Sequence, residues 1–154
     1  MIRVYGTSVA LEGTGVLLRG PSGSGKSDLA LRLIQAGAQL VADDQTELSR
    51  DGRGVIARAP RTIAGRIELR GLGIVRVPSL AEAPLGLVVD LVAPEAIERL
   101  PEPRFCEFLG CSLPLLALAP FEASAAAKLA VALRVLAHDV SVRDNVAAKI
   151  GIAP

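Results

Sequence analysis

The stretch Gly15–Ser27, GVLLRGPSGSGKS, decides the fold. Val16-Leu17-Leu18 is a short apolar run of the kind a buried strand carries, and it ends at Gly20. From Lys26 the apolar positions change period. Leu29, Leu31, Leu33 and Ile34, with Ala30 and Ala36, fit a helix closed by Gly37. Between strand and helix, Gly20-Pro21-Ser22-Gly23-Ser24-Gly25-Lys26-Ser27 satisfies the G-x-x-x-x-G-K-[ST] pattern without a mismatch. Glycines let successive backbone N–H groups converge on a phosphate, and the helix that follows turns its positive end toward the same point. Lys26 then reaches the outer phosphates and the Ser27 hydroxyl can ligate Mg²⁺. The bland alternative, a flexible Gly/Ser loop with an exposed lysine, leaves the flanking strand and helix unexplained.

Working outward, residues 2–11 read as a strand, and Glu12-Gly13-Thr14-Gly15 as a tight turn into the strand at Val16. Leu40-Val41-Ala42 is the next buried strand, with Asp43-Asp44 at its carboxyl end, the edge where ligands bind in open parallel α/β sheets. A hairpin is expected over 48–58, turning at Asp51-Gly52-Arg53-Gly54. Further strands are expected at 67–70, 74–77, 85–92 and 113–118, and an amphipathic helix over 123–137. The fold class is therefore α/β, a central sheet with flanking helices.

Composition bounds the rest. The chain has 154 residues, the length of one domain, read as a single domain over 1–154. Seventeen Lys/Arg against sixteen Asp/Glu leave a formal charge of +1, so no global field draws in nucleic acid or anionic lipid. Aromatics at 3% exclude stacked platforms for single-stranded nucleic acid. Cys106 and Cys111 match no zinc spacing and read as buried small hydrophobes. No apolar stretch reaches the ~20 clean residues of a membrane span, and Met1–Tyr5 lacks a signal-peptide layout. A cytoplasmic location follows as the expectation.

A phosphate loop binds; catalysis also needs acids. Side chains alternate along a strand, so Asp43 and Asp44 can both serve the loop only if the backbone bends there. A solvated turn is the competing reading. Glu68, in Glu68-Leu69-Arg70, is a third candidate, and its alternation with Arg70 fits a surface ion pair equally well. Seven arginines between Arg50 and Arg76 read as a solvated face, or as a receiver for an acidic partner or a phosphorylated product.

The chain resembles the catalytic domain of HPr kinase/phosphorylase. The resemblance rests on Gly15–Ser27, on Leu40-Val41-Ala42-Asp43-Asp44, and on Ile67-Glu68-Leu69-Arg70-Gly71-Leu72-Gly73-Ile74, in that order. It is strong over about residues 1–80 and looks like a short form without the family's N-terminal domain. It implies a P-loop kinase fold related to phosphoenolpyruvate carboxykinase, with a mixed central sheet and flanking helices. It also implies Mg²⁺-ATP as donor, a serine of the phosphocarrier HPr as acceptor, and a homo-oligomer, often a hexamer. Pyrophosphate as donor and the reverse phosphorolysis also occur in the family. By position, the resemblance gives Lys26 and the 20–27 loop to the phosphates, Ser27 and Glu68 to the metal, and Asp44 to the serine proton, supported by Asp43. Tyr5 stands where the family usually has a histidine, and the one histidine, His138, reads as an ordinary partly exposed residue. Pro120-Phe121-Glu122-Ala123-Ser124 replaces a Pro-Gly-Arg-Asn segment. These departures keep two other readings open, a non-catalytic nucleotide sensor and a small-molecule kinase.

Overall fold

A computed structural model describes residues 1–136. In order these form β1 (Ile2–Tyr5), β2 (Thr7–Leu11), β3 (Thr14–Arg19), α1 (Lys26–Gln35), β4 (Gln39–Ala42), β5 (Gln45–Asp51) and β6 (Gly54–Arg58). Then follow β7 (Arg66–Leu69), β8 (Gly73–Arg76), β9 (Glu82–Leu91), β10 (Arg104–Phe108), β11 (Cys111–Leu118) and α2 (Ala125–Leu136). The helix expected over 123–137 is thus α2, and Ala137 and His138 lie outside the described residues.

The single strand expected over 2–11 is two strands with different partners: β1 pairs with β5, and β2 with β3 and β4. The break falls at Gly6. A Cβ there would lie 2.7 Å from Leu17 Cδ1 and 2.9 Å from the Leu18 carbonyl oxygen, so this close crossing admits glycine alone. At the other end of β2, Glu12 and Gly13 both take positive φ, 51° and 84°, as a two-residue hairpin loop requires.

β3 lies between β2, antiparallel, and β9, parallel. Val16, Leu17 and Leu18 are wholly buried, which is why this strand reads as a continuous apolar run. The strand order is β1-β5-β6-β9-β3-β2-β4, with β11 parallel to β9 and β10 antiparallel to β11; β7 and β8 form a separate two-stranded sheet. The sheet is therefore mixed, as expected. β4 is antiparallel to β2 and so runs in the direction of β3, one strand away. The β2–β3 hairpin holds the place a parallel neighbour would have taken, and α1 carries the chain past it. β10 had no counterpart among the expected strands.

Alternation divides the core between two faces. Val16, Leu18, Leu87 and Val89 meet Leu29 and Leu33 of α1 and Leu129 and Leu133 of α2. Leu17, Val41 and Val88 meet Leu48, Val55 and Leu113 from the curled strands. Both helices therefore cover one face, and the sheet's own strands cover the other. Each such leucine contributes about 1.5–3 kcal/mol by leaving water. Cys111 is buried as expected, whereas Cys106 is half-buried. The seven arginines from Arg50 to Arg76 are all exposed. Among the described residues no helix is long and apolar enough to cross a membrane.

Candidate active site

Because β3 and β4 run the same way, their carboxyl ends emerge at one edge, and the expected site residues gather there. Gly25, at φ 101°, ends the loop and N-caps α1 without any side-chain cap. The first amides of the helix are left without a capping side chain, the arrangement that receives an anion. Lys26 Nζ donates to the carbonyls of Gly20 at 2.6 Å and Pro21 at 3.3 Å, so the lysine arches over the loop. The Ser24 hydroxyl is buried with no partner among the described residues.

Asp43 is 8% exposed and accepts three hydrogen bonds. Its Oδ1 receives Ser27 Oγ at 3.0 Å and Thr7 Oγ1 at 3.1 Å, and its Oδ2 receives the Glu68 N–H at 2.9 Å. One buried carboxylate thus ties Ser27 at the end of the 20–27 loop, β2 and β7 together. Charge-assisted bonds of this kind offset the cost of burying it.

The bend that two useful aspartates require is present. Asp44 takes φ 63°, a left-handed conformation that Asp tolerates better than most residues, and its side chain is exposed. Its N–H donates to Thr7 Oγ1 at 3.1 Å, and its carbonyl accepts the Gly6 N–H at 2.8 Å. Thr46 Oγ1 donates to the Gly6 carbonyl at 3.0 Å, so the 3.0 Å bond between Ser8 and Thr46 has Ser8 as donor.

Asp43, Asp44 and Glu68 line one cavity of about 730 Å³, together with Arg3, Arg61 and Arg66. Glu68 is exposed on β7; Arg70 lies in the turn beyond the strand, so the same-face pairing with Glu68 does not form. Tyr5 pairs in register with Gln45, next to Asp44, and is 78% exposed. Among the described residues no three His, Cys, Asp or Glu side chains cluster as a metal cage.

Three features escaped the sequence reading. Thr7 hydrogen-bonds both aspartates, and nothing in its spacing marks it. Asp90 ends the apolar run Leu87-Val88-Val89, a strand-end acid that could have been noticed. It holds Arg19 in a two-pronged pair at 2.8 and 3.1 Å, and Arg19 Nη1 lies 3.7 Å from Cys106 Sγ. The Asp90 hydrogen bond raises the Arg19 pKa against the opposing effect of burial. Finally, the turn after β11 packs on the loop: a Cβ on Gly25 would lie 2.9 Å from Phe121 Cζ and 3.1 Å from Pro120.

Known proteins resemble this chain in sequence and in fold. The HPr kinase/phosphorylase of Clostridium tetani is 45% identical over 78 residues, 51% of this chain and 26% of that protein. The HPr kinase/phosphorylase of Bordetella pertussis is 42% identical over 109 residues, 64% of this chain and 35% of that protein. The chain thus spans roughly a quarter to a third of these curated relatives. The structure of the Hpr(Ser) kinase/phosphatase from Coxiella burnetii superposes with a TM-score of 0.73 at 26% identity, covering 84% of this chain and 96% of that one. The model of the HPr Serine kinase C-terminal domain matches residues 1–92, the region that holds the loop, both aspartates and Glu68. On that match, the chain belongs to the HPr serine kinase C-terminal domain family.

Proposed function

We propose that the chain works as a single P-loop catalytic domain, related in fold to phosphoenolpyruvate carboxykinase, that transfers the γ-phosphoryl group of ATP to a serine of HPr. One observation carries the reading: the 3.0 Å hydrogen bond from Ser27 Oγ to Asp43 Oδ1. It joins a loop suited to phosphates with the cavity that holds Asp44, so donor and acceptor can meet in one site.

In the proposed step the loop amides of 20–27 and Lys26 Nζ hold the β- and γ-phosphates. Asp44, exposed on the cavity wall, takes the proton of the serine hydroxyl. The serine oxygen bonds to the γ-phosphorus as the bond from that phosphorus to the β–γ bridging oxygen breaks, and ADP leaves with the electron pair. Asp43 is buried and committed to three donors, so it orients Ser27 and the turn at Asp44 rather than taking protons. Ser27 and Glu68 offer the hard oxygens that suit Mg²⁺, which would neutralise charge on the phosphates. Few protein ligands fit a metal that keeps its waters and binds through substrate phosphates. Arg61 and Arg66, on the same cavity, supply positive charge for an acidic acceptor surface or the phosphorylated product.

Incubation with radiolabelled ATP, Mg²⁺ and purified HPr tests this, with label expected on a serine of HPr. Binding of ATP without transfer would instead identify a nucleotide sensor, the reading that Tyr5 and the altered 120–124 segment favour. ATP consumption with a metabolite extract but none with HPr would identify a small-molecule kinase. Running phosphorylated HPr with inorganic phosphate reads the reverse direction.

A further inference from the structure

Phe121 is an aromatic side chain left 69% exposed at the mouth of the phosphate loop. Large apolar groups in the open are ordinary when scattered; this one is held in place. Its ring tip lies 2.9 Å from where a Cβ on Gly25 would sit, beside the residue that immediately precedes Lys26. Arg32 of α1 clamps the turn from below, donating Nη1 to the Glu122 carbonyl at 3.3 Å and Nη2 to the Pro120 carbonyl. Asp28, in the first turn of α1, holds Arg32 in turn at 3.0 Å. The ring is therefore braced to the same helix whose N-terminus faces the loop.

A phosphate chain seated in the loop leaves across the N-terminus of α1. A group attached to its end would then come near the first turn of that helix and the segment packed against it. That segment is Pro120–Glu122, and the flat apolar surface it presents is Phe121. We propose that Phe121 is the stacking surface for the base of a nucleotide donor, so that this chain selects a nucleoside triphosphate over inorganic pyrophosphate or tripolyphosphate. The inference rests on the proposed function, which takes ATP as donor on the 20–27 loop, and adds the residue that would recognise its base. Phe121 touches the donor's base and not the reacting atoms, so it acts on binding rather than on the chemical step.

The test compares two Mg²⁺-bound ligands, ATP and inorganic tripolyphosphate, titrated calorimetrically against the wild type, Phe121→Ala and Phe121→Trp. The expected result is a Kd for ATP raised about 5- to 100-fold by Phe121→Ala, the effect of one lost base–aromatic stack, with tripolyphosphate affinity unchanged. Phe121→Trp should keep ATP affinity. The chain has no tryptophan, so its fluorescence should be quenched by ATP and not by tripolyphosphate. A ring that merely packs on Gly25 would move both ligands together, and that outcome overturns the proposal. Equal affinity of the wild type for ATP and tripolyphosphate overturns it as well, while leaving the loop's phosphate role intact. If neither ligand binds the wild type, the loop reading falls and the base shelf falls with it.

Discussion

Residues 1–92 and residues 93–136 contribute to the site in different ways. In the first region side chains of the candidate site bond to one another: Thr7 and Ser27 to Asp43, Ser8 to Thr46. The second region reaches the site through packing and main-chain atoms. Leu118, Ala125, Leu129 and Leu133 join the helix-side core, and Arg32 grips the carbonyls of Pro120 and Glu122. A side-chain network fixes residue identity, because removing one member strands its partners. A carbonyl is supplied by any residue, so the covering segment can change its side chains and keep its place. The family match covers residues 1–92, which hold every member of that network.

Breaking that contrast begins with Asp44→Asn. If Asp44 takes the serine proton as proposed, its loss should slow transfer to HPr by about 10²–10⁴-fold, with ATP affinity unchanged by calorimetry. Turnover at the wild-type rate would remove the role assigned to Asp44. Asp43→Ala leaves two hydroxyls and one backbone N–H without their acceptor and should lower stability by about 2–4 kcal/mol, read from chemical denaturation. Asp43→Asn, which keeps an acceptor oxygen, should cost less. Lys26→Ala should weaken ATP and tripolyphosphate alike, by about 10- to 100-fold; unchanged affinity for either speaks against the loop.

Across the seam between the regions, Arg32→Ala should cost about 1–2 kcal/mol, since it removes charged donors from two partly buried carbonyls. A cost equal to that of Asp43→Ala would erase the contrast. The smallest effect belongs to Arg19 and Asp90, each with about a third of its side chain exposed, at 31%. A double-mutant cycle should give a coupling of about 0.5–1 kcal/mol, weakened by salt. The Arg19 pKa is raised on folding, so its contribution is complete below the unfolded value and fades only as pH climbs through the folded one. No Arg19-linked change should therefore appear near neutrality.

Much of this was legible in the residues. The period change at Lys26, the glycine spacing of 20–27 and the acid pair after Ala42 are local signals, and the structure brings all three to one end of the sheet. The split at Gly6 was not legible, because it is set by contact with Leu17 and Leu18, which only the folded hairpin brings near. The place of β2 between β3 and β4 was hidden for a similar reason: nothing in Leu40-Val41-Ala42 tells which strand lies beside it. Asp43 and Asp44 are identical in sequence and opposite in circumstance, one buried with three donors, the other exposed. That distinction is made by Thr7, Ser27 and Glu68, each distant along the chain.

The backbone at Asp44 has a consequence for mutational scanning. At φ 63° most side chains crowd their own main chain, while glycine, asparagine and aspartate do not. A library saturating this codon should therefore pass through two filters of different width. Selection for folded protein should retain a small polar set, and selection for phosphotransfer should narrow that set to the acid alone. Branched replacements would vanish from both pools.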